Sequence, residues 1–262
     1  MPDKPPPPFA GTFMWNELMS TDIEKAKKFY SSVLGWEYDG MPMGEMGTYW
    51  LIRAGQQMAG GAAQINPKLH GPMPSHWMPY VAVKDINAIA KQAEKDLLYP
   101  PMDVPDVGRM TALKDPTGAA LSIMTPGNGV KTGKPVPPTP KPSHGTFMWN
   151  ELSTGDMKAA EKYLCELLGW NCIEMEGSQG QYKLFQVEGV SVGGMMPLQQ
   201  GDPGPSRWMG YIAVNDIAAA NGAVAKNGGK VLVPPTDVPG IGKFIVAADP
   251  AGGVVAMMQP AS

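Results

Sequence analysis

The feature that most constrains this chain is that it repeats itself. Gly11-Thr12-Phe13-Met14-Trp15-Asn16-Glu17-Leu18 recurs without change as the eight residues from Gly145 to Leu152, an offset of 134 residues (145 minus 11). The same offset carries Gly35-Trp36 onto Gly169-Trp170, Val104-Pro105 onto Val238-Pro239 and Asp115-Pro116 onto Asp249-Pro250. A small indel shifts the stretch between, where Ser75 to Ile86 matches Ser206 to Ile217. A chain of 262 residues with such self-similarity is a tandem duplication of one structural unit. Between the copies, residues 125–143 are rich in Pro, Gly, Lys and Thr and lack hydrophobic periodicity, the composition of a solvated linker. The expected organisation is a first domain over 9–125, a linker over 126–143 and a second domain over 144–260.

Within each copy a shorter cycle repeats. Phe13, Trp15 and Glu17 alternate with Met14, Asn16 and Leu18 as in a strand, and Ser20-Thr21-Asp22 then offers N-cap oxygens. A helix follows, with Ile23, Ala26, Phe29, Tyr30, Val33 and Leu34 at helical spacing and Gly35 placed to end it in a left-handed cap. Met157, Ala160, Tyr163, Leu164, Leu167, Leu168 and Gly169 keep that register in the second copy. Strands are expected over 36–39, 48–53 and 58–65, and again over 77–83. Asp85 then starts a helix through Ile86, Ile89, Ala93 and Leu97, followed by strands near 107–113 and 119–124. The fold class read from this pattern is α+β: four βαβββ modules. One such module cannot bury a sheet face alone, so the modules pair.

Composition excludes several partners. With 21 Lys and Arg against 24 Asp and Glu, a net charge of −3, the chain has no basic excess to neutralise a phosphate backbone, so nucleic acid is not expected. It has no run of ~18 apolar residues, and its first eight residues include five prolines, unlike a signal peptide. A cytoplasmic protein without a membrane partner is expected, as a monomer or homodimer. Cys165 and Cys172, the only cysteines, exclude a disulfide framework of the secreted type and read as packed thiols.

The strand-to-helix signature W-x-E-L-x-x-x-D-x-x-x-A-x-x-F-Y-x-x-x-L-G-W from Trp15 to Trp36 has a copy from Trp149 to Trp170. Asp115-Pro116-Thr117-Gly118 and Asp249-Pro250-Ala251-Gly252 complete the pattern. In these motifs the chain resembles the vicinal oxygen chelate superfamily, which includes glyoxalase I, bleomycin-resistance proteins and extradiol dioxygenases. The resemblance implies that the four modules pair into two open, barrel-like curved sheets, each with a cleft. It also implies metal ligands at two kinds of position: seven residues before the helix-start Asp, and seven after the Asp of Asp-Pro-x-Gly. Those positions hold Trp15, Met78, Trp149 and Met209, and Ser122 and Ala256. None is a usual ligand for a divalent cation. No Asp or Glu lies between Ala54 and Lys84, from Gly189 to Gly201, from Pro116 to Asn150, or after Asp249. Histidine is limited to His70, His76 and His144. The expectation is no metal and no cofactor.

Two readings of the substituted positions stand side by side. Trp15 with Met78, and Trp149 with Met209, either line apolar clefts for a small aromatic or amphiphilic ligand or plug those clefts as core. A Trp buries ~150–250 Å², so stacking over half its face contributes about 2–3 kcal/mol. Glu17 and Glu151 share a strand face with Trp15 and Trp149. Each is either a general base or amine-holding carboxylate, or a hydrated rim residue. Arg109 and Lys243 are equivalent cations, placed to orient an anionic group, to neutralise the glutamates, or to face solvent. Tyr80 and Tyr211 follow Met78 and Met209 on one face, with hydroxyls for a ligand or for another side chain. His76, whose counterpart is Arg207, is read as a strand-end residue. Two functions therefore compete: a metal-free small-molecule-binding protein, sequestering a drug or metabolite, and a lyase, hydroxylase or dioxygenase with an unconventional or absent metal. A structural or oligomerisation module with filled clefts is the third.

Overall fold

A computed structural model describes residues 7–139, 141–199, 201–202 and 204–261. The first six residues, part of the Pro-rich opening, and Pro140 of the expected linker lie outside the described residues.

The first repeat runs β1 (Phe13–Ser20), α1 (Ile23–Leu34), β2 (Glu37–Pro42), β3 (Thr48–Ala54), β4 (Gln57–Gln64), a one-turn α2 (Pro67–His70), β5 (His76–Ala82), α3 (Ile86–Gln92), β6 (Met102–Val104), β7 (Gly108–Lys114) and β8 (Ala120–Pro126). The second runs β9 (Phe147–Thr154), α4 (Met157–Leu168), β10 (Asn171–Glu174), β11 (Lys183–Val187), β12 (Val190–Pro197), β13 (Arg207–Ala213), α5 (Ile217–Lys226), β14 (Lys230–Val238), β15 (Gly242–Ala248) and β16 (Val254–Pro260). Each repeat makes one eight-stranded mixed sheet, in the orders β2-β3-β4-β1-β5-β8-β7-β6 and β10-β11-β12-β9-β13-β16-β15-β14. The four βαβββ modules are thus present.

The helix starts follow the sequence. The side chains of Asp22, Asp85, Asp156 and Asp216 each accept backbone N–H groups of the following first turn, satisfying donors that the helix leaves open. Gly35 and Gly169 close α1 and α4 in the left-handed conformation, at φ 69° and 68°. Asp115 and Asp249 bind the turns that give the Asp-Pro-x-Gly motifs their form: their Oδ1 atoms accept from Thr117 and Ala119 N–H, and from Ala251 and Gly253 N–H. One expectation needs correction. The helix begun at Asp85 does not reach Leu97; it ends at Gln92 and passes into a 3-10 turn over Glu94–Asp96. Leu97 instead bridges to Leu113 beside β7. The short edge strand β6, lacking a readable alternation, was absent from the sequence expectation.

The chain gathers into two compact units, each built from both repeats. One contains the residues up to Met14, Pro79–Pro138 and Asn150–Trp208; the other contains Trp15–Met78, Thr139–Trp149 and the residues from Met209 onward. In the second unit, α1 shares one core with α5, with Phe29, Tyr30 and Leu34 packed in the same cluster as Ile217 and Val224. In the first unit, Ile86 of α3 and Leu164 of α4 likewise share a core. The repeated Gly and Trp serve these cores. Trp36 Nε1 donates to Gly145 O at 2.8 Å, and Trp170 Nε1 donates to Gly11 O at 2.7 Å. A Cβ at Gly11 would stand 2.8 Å from Val187 Cγ2, and its φ of +80° also disfavours any side chain there. Phe147 then packs on Trp36 and Trp77, and Phe13 packs on Trp170 and Trp208. Lys131, in the segment expected to be linker, bridges in parallel to Phe9.

Candidate functional site

Leu18 belongs to the core beneath α1, so strand alternation turns Trp15 and Glu17 to the opposite face of β1. There Trp15 Nε1 donates to the Tyr49 hydroxyl at 2.9 Å. That hydroxyl also hydrogen-bonds Glu17; burial first, and then the Glu17 charge, hold the Tyr49 phenol well above its usual range. Gly61 makes the approach possible. It is the register partner of Glu17 on one side and of Leu51 on the other. A Cβ on it would fall 1.9 Å from Tyr49 Oη and 2.9 Å from Trp15 Nε1.

The second repeat builds the tyrosine, glutamate and glycine of this arrangement again. Tyr182 donates to Glu151 Oε2 at 2.7 Å. Gly194 is the register partner of Glu151, and its absent Cβ would stand 2.1 Å from Tyr182 Oη. Glu151 is 7% exposed, whereas Glu17 is half-buried. A carboxylate held by a phenol on a strand face can accept a further donor from a ligand or exchange a proton with one.

Four of the sequence-predicted residues come together on the strands β13 and β16 and the start of β9, with β15 alongside. Ile212, Ile245 and Met257 face α1 and α5. The alternate residues Met209, Tyr211, Ala256 and Met258 form a separate apolar cluster on the other face, with Trp149 and Phe244 packed against it. Tyr211 and Ala256 are opposite each other in the ladder, and the Tyr211 and Phe244 ring centroids are 6.1 Å apart. In the first repeat Tyr80 and Ser122 are likewise register partners, 3% and 1% exposed, and Met78 is half-buried.

The two cations are held by cross-strand acids. Arg109 donates to Asp103, Asn87 and the Pro101 carbonyl; Lys243 pairs with Asp237 at 3.3 Å. Asp103 and Asp237 are their direct ladder partners. His70 and His144 each accept a backbone N–H, from Asn66 and Asn215, through Nδ1. His76 Nδ1 lies 2.9 Å from the Pro74 carbonyl, and Arg207 is paired with Asp202.

The donor chemistry does not fit a divalent cation of the kind the fold family uses. The six equivalent positions offer two indoles, two thioethers, a methyl and one buried hydroxyl. The strands β4 (QMAGGAAQ) and β12 (VSVGGMMP), which pair with β1 and β9, contain no His, Asp, Glu or Cys. Among the described residues no three His, Cys, Asp or Glu are grouped to hold a metal ion. Tyr49, Tyr182 and Phe244 were missed by sequence reasoning. A signal existed: Gly-x-Tyr before the third strand and Gly-Gly within the fourth recur in both copies, at 47–49 with 60–61 and at 180–182 with 193–194.

Residues 146–257 match the Glyoxalase/Bleomycin resistance protein/Dioxygenase superfamily, and residues 12–48 match the bleomycin resistance protein-like N-terminal family. The chain belongs to the glyoxalase/bleomycin resistance protein/dioxygenase superfamily, in its tandem form. Among its relatives, the putative glyoxylase CFP32 of Mycobacterium tuberculosis is 33% identical over 257 residues, covering 96% of this chain and 95% of that protein. The anthracycline biosynthesis protein DnrV of Streptomyces peucetius is 26% identical over 263 residues, covering 95% and 93%. The fold is shared with the 2,3-dioxygenase LapB from Pseudomonas sp. KL28, at a TM-score of 0.63 and 15% identity over 97% of this chain and 94% of that one. It is also shared with the Mn(II)-bound glyoxalase from Novosphingobium aromaticivorans, at 0.63 and 13% identity over 96% and 82%. No helix among the described residues is long and apolar enough to cross a membrane.

Proposed function

We propose that this protein binds a small, flat aromatic or amphiphilic molecule without a metal, on the strand face that carries Trp149, Met209, Tyr211 and Ala256. The supporting observation is that positions which hold metal ligands in chelating members contribute here to one apolar cluster, extended by Phe244 and Met258. Met209, Tyr211, Ala256 and Met258 are already buried and form the floor of this face, so a planar ligand gains chiefly by covering the half-buried rings of Trp149 and Phe244. The relationship to a protein named for anthracycline biosynthesis favours a polycyclic aromatic ligand.

Intrinsic tryptophan fluorescence titrated with a panel of planar aromatics, an anthracycline among them, tests the reading. A saturable change is expected, weakened about thirtyfold or more by Trp149→Ala, which corresponds to the loss of ~2 kcal/mol of stacking. Unchanged affinity in that variant would remove the assignment. Stoichiometric transition metal in protein purified without added metal would remove the metal-free part.

A second reading, a superfamily enzyme, draws on the buried Glu151 and its Tyr182 donor, a pair suited to proton transfer. In a substrate screen it requires turnover that Glu151→Gln abolishes while the fold is retained.

A further inference from the structure

Cys165 and Cys172 are the cysteines that sequence reasoning set aside as packed thiols, and the fold brings them together. Cys165 sits in the last turn of α4, where its carbonyl accepts the N–H of the cap residue Gly169. Cys172 lies on β10 opposite Phe185. Their side chains line the same surface groove, close enough for each thiol to perturb the other. Both thiols are partly buried, and the walls of the groove, of about 380 Å³, also carry Lys158, Lys162, Glu161, Glu166 and Trp170.

We propose that Cys165 and Cys172 form a thiol–disulfide exchange site for low-molecular-weight disulfides, with Cys165 as the attacking sulfur and Cys172 as the resolving one. Cys165 thiolate attacks one sulfur of the small disulfide, forming a mixed disulfide and releasing one small thiolate. Cys172 then loses its proton and attacks the Cys165 sulfur, expelling the second small thiolate. The balance is one protein dithiol plus one small disulfide giving one protein disulfide plus two small thiols.

The two cysteines are not equivalent, which assigns the roles. The adjacent Cys172 thiol and, more weakly, the Lys183 ammonium hold the Cys165 thiol below its usual range against burial and the charges of Glu161 and Glu166. The same contact, with burial, pushes Cys172 up. The thiolate is the nucleophile, so attack begins at Cys165. The first repeat shows that thiols are not needed for packing here. Ser31 and Tyr38 occupy the equivalent places, and Ser31 Oγ donates to the Trp36 carbonyl at 2.6 Å.

The experiment treats the full chain with oxidised glutathione, alkylates the remaining thiols and reads intact mass over time. Wild-type protein should lose both thiols together and retain no glutathione. Cys172→Ser should accumulate glutathione at Cys165, and Cys165→Ser should react about tenfold or more slowly. Peptide mapping of the wild-type protein, which depends on no variant, should recover one peptide pair joined through the two cysteines. Independent alkylation of both thiols after treatment, stable glutathione on both, or equal rates for Cys165→Ser and wild type would each overturn the assignment.

Discussion

The two repeats keep one device and exchange another. In both, a tyrosine at the start of the third strand reaches a glutamate on the first strand across a glycine: Tyr49, Glu17 and Gly61 in one, Tyr182, Glu151 and Gly194 in the other. Beside the first helix the chemistry differs. Lys27 of α1 places its ammonium 3.2 Å from the Trp50 ring centroid. At the equivalent positions the second repeat has Glu161 and Lys183, which form an ion pair. A cation on an aromatic face in one repeat stands where the other has an acid on a cation, and the nearby Ser31 and Tyr38 stand where the other has two cysteines. Interactions that fix the strand face persisted through the duplication, whereas the solvent-side fastening of helix to sheet could be rebuilt from other side chains because its energy is small and local.

That contrast can be broken most forcefully at the shared tryptophans. Trp36→Ala and Trp170→Ala should each destabilise the protein by ~3–5 kcal/mol in urea unfolding, since each removes a buried ring and a hydrogen bond to a glycine carbonyl. A variant that lost almost nothing would show that the two repeats do not depend on this lock equally. A finer separation comes from the tyrosines. Tyr182→Phe should cost ~2 kcal/mol because a buried carboxylate loses its phenol donor, and Tyr49→Phe about 1.5 kcal/mol, because Glu17 is half-buried although Trp15 Nε1 also loses its acceptor. The reverse order would mean that exposure does not set their difference. The smallest effects separate the exchanged device. Lys27→Met should cost ~1 kcal/mol with weak dependence on salt, and Lys183→Met ~0.5 kcal/mol that vanishes near ~1 M NaCl as the ion pair is screened.

Much of the fold was legible because its signals are local. Asp22, Asp85, Asp156 and Asp216 announce helix starts by offering acceptors to nearby N–H groups, and Gly35 and Gly169 announce helix ends by tolerating positive φ. The early end of α3 was not legible, since Ala93 and Leu97 keep helical spacing while the bridge from Leu97 to Leu113 depends on a partner 16 residues on (113 minus 97). The sharing of cores between α1 and α5, and between α3 and α4, was hidden for the same reason: amphipathic periodicity says that a helix buries a face and not against what. Of the candidate residues, Trp149, Met209 and Ala256 stand at positions that the family resemblance implies, and Tyr211 follows from alternation along β13; their grouping with Phe244 depends on the sheet. The Tyr49 and Tyr182 contacts required the β-ladder register that brings Gly61 and Gly194 beside the glutamates.

Because each compact unit draws on both repeats, half a chain owns the parts of two cores and the whole of neither. A single repeat on its own would reach the same burial only by association with a second copy, trading segments symmetrically. Joining the copies in one chain makes that association a loop closure within one molecule, so that assembly does not depend on concentration. Freed from serving as both halves of a symmetric pair, the two copies could diverge one side chain at a time.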